Sequence, residues 1–544
     1  MLKRLSIVSS IALSATVSAL ACTSLIAGKG ATADGSVMIT YAADSHNLYG
    51  ELYSQPAADY PAGTMRPVID WDSQKMLGYI PEVAHTYATI GNMNEHGLAI
   101  AESTWGGHEE LEGSGLIDYG SLIYITLQRA RTAREAVEVM TNLVKYYGYA
   151  SSGESFSIAD PNEVWIMELI GKGKDDPGAV WVAMRVPDDC ISGHANHSRI
   201  HTFPVEPTSE CLFSPDVRQF ARDKGYYDGN DADFSFSRAY ADYDFGALRG
   251  CDARVWSYYN ANADDMARYL TWINEADGEV MPLWVKPNHK LTSDDMKQMM
   301  RDHFEGTPFD MTNDVGAGPY AVPYRWRPMS FEVDGKEYTH ERAIATQQTG
   351  FSFVARLRDD MPDHLKGLLW FGTDDANTCV YMPVYCGVRS VPASLGHGDT
   401  NTLDWGANFW VNNYVANQAY NRYSQMIPDI RRVQERLESS MADAVATFEQ
   451  RAASMTDEER QVMAQNIADY WSDRATTEYK QLGDYLFVKF MDGNIKKQNE
   501  DGSFMRTDEG IPAYPSFGGY DDPRYFENIV RETGDHFLVK PVKK

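Results

Sequence analysis

The chain has 544 residues and a formal charge of −28, with 43% hydrophobic and 12% aromatic residues. That balance describes a globular protein of one large or several ordinary domains and excludes a disordered chain. The acidic excess argues against a nucleic-acid or anionic-membrane partner, because both need basic patches.

Residues 1–21 begin with Lys3-Arg4, continue as an apolar run broken only by Ser and Thr, and end in the small-residue pattern Ala19-x-Ala21. This is the layout of a secretory signal. Its apolar part is short and rich in Ser and Ala, so no stable membrane span is expected, and the mature protein is read as soluble and exported, periplasmic or secreted. Cleavage after Ala21 would expose Cys22 with both a thiol and a free α-amine. An α-amine has an ordinary pKa of roughly 7.7 to 8.0, so near neutral pH it can take the thiol's proton and return it to a leaving group. From the leader alone Cys22 is equally a nucleophile, a lipid-anchored cysteine or a bystander. Against the anchor, Ala19 stands where a lipobox carries Leu.

After Cys22 the pattern gives strands at 23–27 and 37–42 around the turn Asp34-Gly35-Ser36, which holds the candidate nucleophile at the start of a strand. Gly28-Lys29-Gly30 lacks the remaining signals of a phosphate loop. A second hairpin is expected from 86–92 and 98–104 around Asn94-Glu95-His96-Gly97, followed by one helical pattern over 119–147. A third hairpin pairs 155–159 with 164–169 across Asp160-Pro161-Asn162-Glu163, and strands follow at 180–186 and 199–203. The region 204–330 is mixed. Its acidic run Asp228–Asp233 lacks the glycine and glutamate of a calcium loop. Strands return at 352–357, 367–371 and 380–384, and helices dominate 408–493, including 430–448 and 458–470. The resulting plan is α+β: a leader at 1–21, a catalytic domain at 22–390 and a mainly helical region at 391–544 packed on it, whose long helices offer surface for a homo-oligomer.

Six cysteines stand at 22, 190, 211, 251, 379 and 386. With Cys22 set aside, the other five leave room for one or two bridges without forming a disulfide scaffold. The spacings give neither C-x-x-C nor H-E-x-x-H, so no metal or other cofactor is expected, and the lack of G-x-S-x-G disfavours a serine hydrolase.

The string Cys22-Thr23-Ser24-Leu25-Ile26-Ala27-Gly28-Lys29, with Asp34-Gly35-Ser36 and Asp44-Ser45 after it, resembles the opening of the C69 dipeptidases. Similar stretches follow at 94–100, 153–160, 346–354, 374–378 and 383–387. The resemblance runs from Cys22 to about Gly387. It implies an N-terminal-nucleophile hydrolase related to bile salt hydrolases and penicillin V acylases, with a four-layer αββα fold, maturation by leader removal, and small peptides as substrates. Within it, Asp44 would orient the amine and thiol, Asn196 and the backbone at Thr104 would form the oxyanion hole, and Arg254 would supply charge beside the nucleophile. The relatives usually carry Arg three residues before the aspartate, where this chain has Tyr41. Read without the resemblance, Asp44 is also a turn or cap residue, Asn196 a loop tie and Arg254 a structural ion pair. Two rival functions stay open, an amide hydrolase of the bile-salt or penicillin V type and a lipid-anchored surface binding protein.

Overall fold

The computed structural model describes residues 22–542, so the expected leader lies outside the described residues. Eight consecutive buried residues, Val37–Asp44, already show what kind of sheet this is. A strand with one wet face would alternate, so this one is covered on both sides. The main strands in chain order are β1 (Ser24–Ala27), β2 (Val37–Asp44), β3 (Ala99–Trp105), β4 (Gly153–Ala159), β5 (Val164–Gly171), β6 (Ala179–Arg185), β7 (Ile191–His194), β8 (Thr349–Leu357), β9 (Gly367–Thr373) and β10 (Met382–Tyr385). The first sheet has seven strands in the order Trp284–Val285, β7, β1, β2, β8, β9, β10. The second has eight, in the order Cys211–Phe213, β6, β5, β4, β3, Met93–Asn94, Thr89–Ile90, Ser54–Gln55. Neighbouring strands run antiparallel, with Ser24 opposite His194, Ile26 opposite Ile39, and Thr349 opposite Asp44.

The pleat of the second sheet divides its side chains between two cores. Ile100, Phe156, Ile158, Trp165 and Met167 join the helices α1 (Tyr119–Leu127) and α2 (Ala133–Tyr147) in one cluster. Ala99, Ala101, Ile166 and Val182 join Leu25 and Ile39 of the first sheet in the other. His194, on β7, ties the two sheets together through Ser103 Oγ at 2.6 Å and Ser157 Oγ at 2.7 Å. Across the first sheet lie α3 (Ala253–Asn262) on β7 and α4 (Ser293–Met300) on β2 and β8. Three longer helices, α5 (Asn408–Ala419), α6 (Tyr423–Ala452) and α7 (Asp457–Lys489), cover β9 and β10. Glu438 of α6 fixes that contact, accepting from Arg301 at 2.6 Å and from the Tyr381 backbone N–H at 2.9 Å. The 33 residues of α7 start from a capping box in which Thr456 and Glu459 satisfy each other's backbone N–H groups. The architecture is α+β.

Three local expectations are corrected. The single helix over 119–147 is two helices, because Asn94 Nδ2 draws the carbonyls of Leu127 and Ala130 out at 2.7 Å each and Thr132 starts α2 as a new N-cap. The segment 199–203 is no strand. Its Arg199 and Ile200 N–H groups go to the Glu168 carboxylate, at 2.6 and 3.2 Å, instead of to a ladder partner. The first arm of the 86–104 hairpin is broken into His85–Thr86, Thr89–Ile90 and Met93–Asn94. All six cysteines are unpaired thiols, with Cys190, Cys211, Cys379 and Cys386 buried.

Candidate active site

Cys22 sits one residue beyond the ladder that fixes β1. Thr23 exchanges both backbone hydrogen bonds with Ala42, at 3.2 and 2.9 Å, so the cysteine is held by β2 rather than by a loop. Its side chain is 3% exposed. Sγ lies 3.3 Å from Glu102 Oε1 and 3.7 Å from the Tyr41 hydroxyl, which itself donates to Glu102. Burial pushes the thiol well above its ordinary range, and the charges of Glu102 and Asp44 push the same way. The Asp44 backbone N–H and the Tyr41 hydroxyl offset part of this. The sulfur therefore rests as a thiol with an oriented proton, not as a standing thiolate.

The sequence-derived residues converge on it. Arg254, fully buried on the first turn of α3, donates from Nη1 to the Cys22 carbonyl at 2.8 Å and to Thr23 Oγ1 at 2.7 Å. Its Nη2 donates to the Ala195 carbonyl at 3.1 Å and to Asn196 Oδ1 at 2.9 Å, and its Nε to the Gly250 carbonyl at 2.9 Å. A π-helical turn, Gly246–Asp252, feeds α3 and sets the angle at which the arginine enters. Asn196 has φ 56°, a left-handed conformation that asparagine tolerates better than most residues, and its Nδ2 donates to the Thr104 carbonyl at 2.6 Å. Thr104 thus meets the site through its carbonyl oxygen, while its hydroxyl donates to Glu154 at 2.8 Å. Asp44, at the end of β2, accepts from Thr349 Oγ1 at 2.6 Å and from Arg342. Burial raises the Asp44 pKa, and Arg342 and Thr349 pull it back. Just past Asp44 the chain presses against β8. A Cβ on Gly50 would lie 1.7 Å from the Gly350 carbonyl oxygen, so only glycine fits there.

Four residues of this neighbourhood were not among the candidates. Glu102 and Glu154 are both buried, and the charge of Glu102 adds to burial in raising the Glu154 pKa well above the usual carboxylate range. Acids inside the apolar strands of β3 and β4 were a legible signal, because an unpaired carboxylate is almost never buried without a task. Arg342 and Thr349 had no such mark. Arg342 lies in a stretch without periodicity and reaches Asp44 across 298 positions of sequence. The two histidines flanking Asn196 form no dyad with the thiol. His194 bridges two serines and is driven down to about 3 by burial, while His197 faces Asp252 at 3.0 Å. Among the described residues no group of three or more His, Cys, Asp or Glu side chains is arranged to hold a metal ion, and no helix is long and apolar enough to cross a membrane.

Arg342 also lines a cavity of about 330 Å³ whose walls include Arg327, Tyr324, Trp326 and Gln348. Gln348 lies next to Thr349, and its carbonyl accepts the Ser45 N–H at 3.0 Å, so the cavity and the Asp44 region share one strand end.

Comparison with known proteins finds dipeptidases. A probable dipeptidase of Latilactobacillus sakei is 24% identical over 507 residues, covering 87% of this chain and 98% of that protein. A probable dipeptidase of Salmonella dublin is 24% identical over 401 residues, 68% and 82% of the two chains. A dipeptidase of Bifidobacterium longum is 23% identical over 493 residues, 83% and 86%. The profile of Peptidase family C69 matches residues 21–436, a span that holds Cys22, Asp44, Thr104, Asn196, Arg254 and Arg342, and the chain belongs to that family.

Proposed function

We propose that the protein is an exported cysteine dipeptidase whose Cys22 becomes the N-terminal nucleophile when the leader is removed. The convergence of Arg254 on the Cys22 carbonyl and on Asn196 carries this reading, since it ties the residue at the cut site to a prospective oxyanion donor. Membership of family C69 and the dipeptidase names of the relatives support the reaction class. The two stacked antiparallel sheets with helices against both support assignment to the four-layer αββα class of N-terminal-nucleophile hydrolases.

In the full-length chain the nitrogen of Cys22 is an amide and cannot act as a base. Cleavage after Ala21 frees it. The amine then takes the thiol proton, sulfur attacks the peptide carbonyl, and the oxyanion is stabilised by the Asn196 side-chain amide, whereas Thr104, which presents a carbonyl oxygen, positions that amide instead of donating. The protonated amine returns its proton to the departing amino acid, and water, deprotonated by the same amine, releases the acyl group. Tyr41 and Glu102 position the sulfur, and Arg254 keeps the cysteine carbonyl and Asn196 in register. Tyr41 cannot supply the permanent cation of the relatives' arginine. Arg254 and Arg342 stand in the same neighbourhood and carry that charge.

Mass analysis of the N-terminus of the secreted protein, coupled to a dipeptide panel, tests the reading. A free N-terminal Cys22, no turnover in Cys22→Ala and a loss of about a hundredfold or more in Asn196→Ala are expected. Dipeptide hydrolysis by Cys22→Ala would end the proposal, and a diacylglyceryl adduct on Cys22 would establish the anchored protein instead.

A further inference from the structure

The cavity beside Arg342 holds three arginines and one glutamate, and their charges are not equally matched. Arg342 is paired with Asp44, Arg325 with Asp314 at 2.7 Å, and Glu341 with Arg249. Arg327 donates to the neutral Gln348 Oε1 at 2.6 Å, and among the described residues no carboxylate lies within ion-pair distance of it. Partial burial and the repulsion of Arg342 lower the Arg327 pKa, the charge of Asp44 offsets part of this, and Arg327, after burial, pushes the nearby His46 down. A solvent-exposed guanidinium that makes no salt bridge among the described residues, in a cavity also walled by Tyr324, Trp326 and Met329, suits a ligand that brings an anion and an apolar side chain together.

We infer that this cavity receives the C-terminal residue of the substrate, with Arg327 binding its free carboxylate. The inference rests on the dipeptidase reading and deepens it, because it names the end of the peptide that is recognised. The volume stands at the low end of small-ligand sites, about 300 to 1,000 Å³, which fits a dipeptide better than a long peptide. The cavity offers the peptide carboxylate the guanidinium of Arg327, whereas the group against the Cys22 sulfur is a carboxyl, Glu102, which suits the amino end of the peptide instead.

The test compares alanyl-leucine with its C-terminal amide on the secreted wild type, Arg327→Gln and Arg327→Lys, with thermal unfolding as the folding control. The wild type should prefer the free acid by on the order of 10- to 100-fold in kcat/KM, the range of a charge-assisted hydrogen-bond pair. R327Q should lose that preference mainly through KM on the acid while cleaving the amide as before, and R327K should recover part of it. An arginine that merely held Gln348 in place would affect both substrates alike. A native-like R327Q with an unchanged acid-to-amide ratio would overturn the anchor and leave the dipeptidase reading intact, whereas a wild type that cleaves neither compound would remove both.

Discussion

Replacing Arg254 by methionine keeps most of its volume and removes every donor. Five acceptors then lose a partner: the carbonyls of Cys22, Ala195 and Gly250, Asn196 Oδ1 and Thr23 Oγ1. The Thr23 hydroxyl can turn elsewhere, but the other four only accept. A stranded buried acceptor costs about 1 to 3 kcal/mol, which places the two at fully buried bonds, the Cys22 and Ala195 carbonyls, at about 2 to 6 kcal/mol together. The native guanidinium is itself held against desolvation, seen in its pKa lowered by burial to about 10, so its removal returns part of that sum. The expected destabilisation is at the lower end, about 2 kcal/mol. Urea unfolding of the purified protein measures it. Turnover of a dipeptide, assayed where the variant is still folded, should fall by about a hundredfold or more as Asn196 loses its tether. Arg254→Lys keeps the charge, but a single ammonium cannot span the Cys22 carbonyl and Asn196 together, so turnover should stay low. Wild-type stability in R254M, or full activity in R254K, would refute the geometric account.

Glu102→Gln removes a negative charge from beside the thiol, so the pH midpoint for alkylation of Cys22, followed by peptide mass spectrometry, should move down; a midpoint that holds or rises contradicts the proximity of Glu102. Asp374 is buried, accepts from Asn413 at 3.0 Å, and has its pKa raised to about 8 by burial, with the charge of Asp375 adding to the shift. The folded state keeps that proton after the unfolded chain has released it near its ordinary value of 3.8, so stability falls as pH rises between the two and the loss is complete above about pH 8. Asp374→Asn has no proton to lose. Its Tm should exceed the wild type's at pH 8.5 and converge with it towards pH 4, and a gap independent of pH counts against the assignment.

The strands nearest Cys22 were legible because each is a run of residues with nowhere to go but inside: Val37–Asp44 and Val164–Gly171 are apolar along nearly their whole length and buried throughout. Cys22, Asp44, Asn196 and Arg254 could be picked out by chemistry and resemblance, and their mutual contacts follow from the pairing of β1 with β2 and β7. Long-range ties were not legible. Asn94 divides α1 from α2 by reaching over 30 residues onward, and Glu168 takes the backbone donors that a strand at 199–203 would have used. Periodicity reports how a segment meets a core and is silent on which distant side chain will claim its amides. Arg342 and Arg327 escaped for the same reason, since one salt bridge and one cavity wall leave no imprint on local pattern.

The six unpaired thiols carry a consequence for redox chemistry. Burial leads every shift: it holds Cys190 and Cys211 near 11 and Cys386 near 12, and it lifts Cys251, Cys379 and Cys22 as well. Disulfide exchange and peroxide attack both need sulfur in its anionic form, so the folded chain is chemically quiet towards oxidants at neutral pH. What singles out Cys22 is not greater acidity. In the proposed maturation it is the sulfur whose own backbone nitrogen becomes a proton acceptor.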